Sequence, residues 1–267
     1  MSFVVVLAIA AGVLGLAVGS FLNVVIHRVP RGESVVSPPS HCPRCHSRIR
    51  SRHNVPVFGW LVLRGRCFDC ELPISARYPL VEAATGALFV AVTLCFGVTA
   101  TLPAYLYLAT VVVTVAMIDV DLRRVPSAVV RPSLIVAAVL LATPAVVDGD
   151  WWRIARGLVG GAALVAVVFG IGAVTQRLDA SAGALVAMLG LYLGWLSWTA
   201  LLLGVLATAA LSGADAAAGA SSEADPGGPV AVAVACRTRV PLAACLCAAT
   251  IVVVLSTASA SGLPALR

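Results

Sequence analysis

The sequence predicts an all-α polytopic membrane protein with about eight transmembrane helices and a four-cysteine cytoplasmic loop. Three observations carry the fold class. The 267 residues are 60% hydrophobic and only 11% charged, with a mean hydropathy of +1.02, whereas a soluble domain carries roughly 25% charged residues. Apolar runs near bilayer-crossing length recur along the chain. The charge is also concentrated: nine Arg lie between residues 28 and 77 against three acids, Glu33, Asp69 and Glu71, a net +6 equal to that of the whole chain. All 18 basic residues are Arg, which together with the abundance of Ala, Val and Gly reads as genome composition rather than chemistry.

Taken in order, the first apolar run covers residues 3–25, within a first span assigned to residues 1–25. No basic segment precedes it and the Arg cluster follows it, so it reads as an uncleaved span with the N-terminus outside. The Arg-rich segment 26–79 is then a cytoplasmic loop. Runs 80–98 and 102–118 form a hairpin turning near Thr101–Pro103, and the second of them returns to the cytoplasmic face at Asp119, beside Arg123, Arg124 and Arg131. Run 129–147 leads to "DGDWWR", where two Trp suit an outer interfacial belt. Run 155–175 re-enters and ends at Arg177 and Asp179. Residues 184–212 hold two short helices, 184–196 and 198–212, broken at Gly194–Ser197. A low-complexity linker, 213–236, precedes the last run, 240–257, within a final span and tail over 237–267.

The loop contains "CPRC" (42–45) and "CFDC" (67–70). Each pair makes a tight knuckle that aims two thiolates at one ion, and two knuckles complete a tetrahedral sulfur shell: Cys42, Cys45, Cys67 and Cys70 are the candidate ligands of a zinc ion. A reducing cytoplasm disfavours disulfides, and a loop poor in large apolar residues needs a metal's folding free energy. Four Cys close the shell, which argues for a structural role and leaves no place for His27, His41, His46 or His53. Cys95, Cys236, Cys245 and Cys247 lie in or near spans and read as small apolar packing residues. Asp119 and Asp121 end an apolar run, where carboxylates are costly and usually functional. Glu82, one acid inside the second span, is a candidate on the same ground; Arg77 is close enough in sequence to pair with it.

Several stretches together resemble the type IV prepilin peptidases/N-methyltransferases, membrane aspartic peptidases of the Gly-x-Gly-Asp type. They are "GSFLNVVIHRVP" (19–30), "NVPVFGWLVLRGRC" (54–67), "ISARYPLVEAATG" (74–86), the cysteine spacing, and "IDVDLRRVPSAV" (118–129). In the last, Asp119 is followed six and seven residues later by Val125 and Pro126. "RTRVPLAACL" (237–246) is a looser likeness to the approach to the last helix. The resemblance implies an N-terminal domain continuing to about residue 90 and a peptidase domain over 80–212. It implies two catalytic aspartates, Asp119 being the first. It also implies removal of the leader of a pilin-like or pseudopilin precursor at the cytoplasmic face of the plasma membrane. S-adenosylmethionine would be the methyl donor for the new N-terminus, with Glu82 a candidate for that step. Membrane lipids are expected partners and nucleic acid is not.

The second motif departs from the family. Counted back from "LVAMLGLYLGW" (185–195), the family's Asp falls on Ala182, its two Gly on Asp179 and Ser181, and its Lys on Ala184; Ser127 stands where the family usually has Asp or Asn. Asp179 is the nearest carboxylate, three residues early, about 4.5 Å along a helix. Three readings therefore stay open: a shifted dyad of Asp119 and Asp179, a degenerate member that binds pilin-like or secretion components as a scaffold, or an active form whose second acid comes from elsewhere.

Overall fold

The computed structural model describes residues 3–42, 44–175, 180–223 and 241–260, with the backbone alone at 171–175, 214–223 and 260. These residues form nine α-helices: α1 (Phe3–Arg28), α2 (Phe58–Val62), α3 (Arg77–Phe96), α4 (Leu102–Leu122), α5 (Ser127–Asp148), α6 (Trp151–Thr175), α7 (Ala180–Leu196), α8 (Trp198–Glu223) and α9 (Leu242–Ala260). Among the described residues the only β pairings are two isolated bridges, His41 with Arg48 and Arg66 with Pro73. Among the described residues six helices are long and apolar enough to cross a membrane; α7 and the apolar part of α8, Trp198–Gly213, are shorter. Helices α3, α4 and α5 follow the predicted runs to within a few residues, whereas α8 continues through an Ala-rich stretch to Glu223. Alanine's high helix propensity accounts for that extension into the predicted linker.

The chain forms two compact units, residues 1–114 and 115–262, divided within α4. In the first, α1 and α3 run antiparallel on a seam of small residues. A Cβ at Gly15 would strike Gly86 and Phe89, and one at Gly19 would strike the backbone of Glu82. Such positions let helices approach closely enough for backbone-level packing in lipid. Phe89 joins Ala11 and Ala109 in the core. The α3–α4 turn begins at Gly97, which has φ +59° and donates its N–H to Thr93. Glycine takes this conformation without steric cost.

In the second unit α6 and α7 meet on Gly157, Gly160 and Gly161 against Gly190 and Gly194; an added Cβ at Gly160, Gly190 or Gly194 would collide with the opposite backbone, and one at Gly157 or Gly161 would be tightly crowded. The last carbonyls of α7 have no partners within their own helix. Arg156 of α6 donates to three of them, Gly194 O (2.5 Å), Trp195 O (2.6 Å) and, more weakly, Leu196 O (3.5 Å). The break between α7 and α8 falls at Ser197, whose Oγ accepts the Ala200 N–H at 3.0 Å and so caps α8. Before α6, Asp150 and Arg153 pair at 2.8 Å, while Trp151 and Trp152 stand exposed, as interfacial tryptophans do.

Candidate functional site

The two cysteine knuckles are built alike. In the first, Cys42 N–H donates to Ser47 O and His46 N–H returns to Cys42 O; in the second, Cys67 N–H donates to Leu72 O and Glu71 N–H returns to Cys67 O. Each turn ends on a residue with positive φ, His46 (58°) and Glu71 (57°), four places after its first Cys. This symmetry brings all four Sγ atoms within 4.8 Å of one another, with Cys42–Cys70 and Cys45–Cys67 each 3.9 Å apart. A tetrahedral zinc with bonds near 2.3 Å would set its sulfurs about 3.8 Å apart, so the cluster fits that ion.

The electrostatics point the same way. The Ser47 hydroxyl and amide hold the Cys45 thiol down to about 6. At Cys70 a bond from the Leu72 amide favours thiolate, but burial and the three neighbouring thiols outweigh it and push the group up to about 12. Four clustered thiols cannot all ionise without a cation among them. The histidines lie outside the four-thiol group: His41 and His46 stack at 6.0 Å, and His53 lies 4.8 Å from Phe68. Arg50 ties the second knuckle in place by pairing with Asp69 (3.1 Å) and lying 4.2 Å above the Phe68 ring.

Glu82 is buried, 9% exposed, on α3. Its Oε2 accepts the Val57 N–H at 2.7 Å, where Val57 adopts φ +61° at the start of α2. That conformation is uncommon for a β-branched residue and persists only where its surroundings enforce it. Glu82 is therefore a brace between α3 and α2, a role invisible in the sequence because its partner is a backbone amide 25 residues away. The same unit carries an open cavity of about 930 Å³ whose lining includes Asn23, His27, Trp60, Tyr78 and Glu82.

Asp119 lies three residues from the end of α4 and is 5% exposed. Its Oδ2 accepts the Ala244 N–H at 3.0 Å, across 125 residues of sequence. The first intrahelical bond of α9 runs from Cys245 N–H to Pro241 O, which makes Pro241 the N-cap residue and Ala244 the third helical position. An N-cap Ser, Thr, Asp or Asn would satisfy that amide itself; proline cannot, and Asp119 does so from α4. A proline opening a helix with no capping side chain beside it is a signal that could have pointed to an acceptor elsewhere in the chain. After Asp119, Arg123 turns the chain at φ +53°, its N–H bonded to Asp119 O (2.9 Å), and buried Pro126 opens α5. The Val-Pro of the motif thus builds the α4–α5 turn.

Asp121, two residues on from Asp119, is exposed. Asp179 lies outside the described residues. Ala182 and Ala184, where a gap-free alignment puts the second Asp and the Lys, fall in the first turns of α7 beside buried Ser181. Arg28 was another unforeseen structural residue: buried at the end of α1, it donates to Ser34 O and Pro38 O, both at 2.8 Å, and so fixes the start of the loop.

Comparison with known proteins converges on one family. Residues 13–96 match the bacterial peptidase A24 N-terminal domain. A prepilin leader peptidase/N-methyltransferase of Myxococcus xanthus (strain DK1622) is 42% identical over 209 residues, covering 76% of this chain and 59% of the relative. One of the same description from Stutzerimonas stutzeri is 40% identical over 149 residues, 47% of this chain and 52% of the relative. A type 4 prepilin-like proteins leader peptide-processing enzyme of Escherichia coli O78:H11 is 39% identical over 136 residues, 44% and 51% respectively. The chain thus spans a little over half the length of these relatives. No solved structure matches.

Proposed function

The chain belongs to the prepilin leader peptidase/N-methyltransferase family, and from that premise we propose that it removes the leader of type IV pilin-like precursors by an aspartic mechanism at the cytoplasmic face of the plasma membrane. The observation that carries the reading is the buried Asp119 carboxylate, held by the Ala244 amide at 3.0 Å. That bond occupies Oδ2 and leaves Oδ1 as the oxygen for a water. In such a mechanism an ionised carboxylate takes a proton from the water while a protonated one donates toward the scissile carbonyl oxygen. Asp119 supplies one of the two, and Asp179 is our candidate for the other.

The N-terminal unit has a supporting role in this reading. Zinc on Cys42, Cys45, Cys67 and Cys70 is structural, since four thiolates leave no open coordination position. The cavity of about 930 Å³ is large enough for a nucleotide-sized ligand. When bound there, S-adenosylmethionine supplies the methyl carbon for the new amino terminus. Asn23, Tyr78 and Trp60 would orient it, and the Glu82 carboxylate would lie at the cavity wall while bracing Val57.

A second reading has its own observation in favour. Because Asp119 caps α9, it has a structural reason to be present even in a chain without Gly-x-Gly-Asp, acting as a scaffold for pilin-like or secretion components. Asp119→Asn separates the two, since the amide oxygen still accepts from Ala244 but cannot serve as a base. In a membrane cleavage assay on pilin-like precursors of the same genome, the peptidase reading expects a loss of roughly 10²-fold or more for both Asp119→Asn and Asp179→Asn, with stability retained. Cleavage lost in the first alone moves the second acid elsewhere. No cleavage by the wild type, beside an active relative, supports the scaffold.

A further inference from the structure

The loop between the first two spans carries an apolar face that the described residues do not cover. On α2, Phe58 is 62%, Leu61 55% and Val62 75% exposed. The opposite side of α2 is fixed to the unit. A Cβ at Gly59 would strike the His53 carbonyl, Trp60 Nε1 donates to Ile74 O at 3.0 Å, and Val57 N–H is held by Glu82. The exposed residues are therefore presented by a braced platform, one of whose braces enforces an unfavourable backbone conformation.

The depth of that platform can be read along α3. Glu82 is the sixth residue of α3, about 7.5 Å past its start at Arg77, and its side chain leans back toward that start. The amide it binds thus lies level with the first two turns of α3, where this span enters the bilayer. The neighbouring helix agrees: Gly19, which abuts Glu82, lies nine residues, about 13.5 Å, inside the end of α1. Tyr78, half exposed in the same first turn, is a residue type that settles at this level. Charge completes the pattern: Arg52, Arg64 and Arg66 flank the apolar stretch in sequence and are exposed, and no acid occurs between Asn54 and Phe68.

We propose that α2 is an interfacial anchor, its Phe58–Leu61–Val62 face embedded at the boundary of headgroups and acyl chains and its flanking arginines on the phosphates of anionic lipid. Apolar side chains beside a cationic fringe are the composition of helices that lie in this plane, and each Arg near an anionic leaflet adds to the attraction. The anchor would hold the cysteine knuckles at a fixed height above the membrane, independently of any catalysis.

The test places benzoylphenylalanine at Val62, or at Phe58 should the first variant fold poorly, in the full chain reconstituted in nanodiscs. Val36, 84% exposed in the same loop but outside this face, is the control position. Phosphatidylglycerol–phosphatidylcholine discs are compared with phosphatidylcholine alone, and photo-adducts are read by mass spectrometry. The expected result is lipid adducts at Val62 or Phe58 at least fivefold above Val36, enriched in phosphatidylglycerol, with that enrichment lost in Arg64→Gln/Arg66→Gln. Adducts to a second copy of the chain, adducts to a co-reconstituted precursor in place of lipid, or lipid adducts no greater than at Val36 would each overturn the anchor.

Discussion

The cysteine centre of the first unit and the carboxylate centre of the second rest on opposite kinds of sequence information. Each knuckle is closed by two backbone bonds within six residues, and joining the two pairs takes a loop of 21 intervening residues. The Asp119 site is assembled from α4 and α9 across 125 residues, and its catalytic reading needs a second acid from a third segment. A locally specified site survives or fails as a unit. A site drawn from distant segments can lose one contributor and keep the others, because each remaining residue can have a structural reason to stay. Asp119 has such a reason in Ala244.

The largest effect that would sharpen this contrast comes from the metal. Cys67→Ser with Cys70→Ser should abolish binding of one zinc per chain, read by elemental analysis, and open the 40–75 segment to proteolysis. Structural zinc contributes on the order of 10 kcal/mol in small domains, so the local loss is expected to be complete. Helices α6 and α7 should stay intact, and their cleavage at wild-type protease levels would break the division between units. Next is Gly160→Leu, which forces a side chain into the Gly190 backbone. It should cost about 3 kcal/mol and lower the midpoint of thermal aggregation, with zinc content unchanged.

A smaller effect is expected at Glu82→Leu. It strands the Val57 amide, at about 2 kcal/mol, and should speed hydrogen exchange across 55–63, whereas Glu82→Gln keeps an acceptor and should exchange near the wild-type rate. The smallest is Ala244→Pro, which removes the amide that Asp119 binds. A cost of about 1 kcal/mol, that of a lost cap, is expected in the thermal midpoint. Under the peptidase reading a fall in kcat with little change in KM should accompany it. An unchanged kcat would make the contact structural only.

The same contrast explains what could be read in advance. Hydropathy located the apolar helices to within a few residues, because a bilayer demands long apolar runs wherever they fall. The four cysteines were legible because metal geometry restricts spacing within a short segment. The partners of Glu82, Asp119, Arg28 and Arg156 were not, since each binds a backbone group, and a backbone amide or carbonyl leaves no mark on residue identity. The extension of α8 to Glu223 was missed for another reason: a run of Ala, Gly and Ser reads as linker by composition, although its alanines favour helix.

The central claim is that Asp119 remains a working carboxylate and not only a cap. It is tested most directly by intact-mass spectrometry of a pilin-like precursor co-reconstituted with the wild type or with Asp119→Asn. The account predicts loss of the leader, with a methyl group on the new N-terminus, for the wild type, and an uncut precursor beside a stably folded, zinc-loaded variant. The same cleaved product from both chains would contradict it.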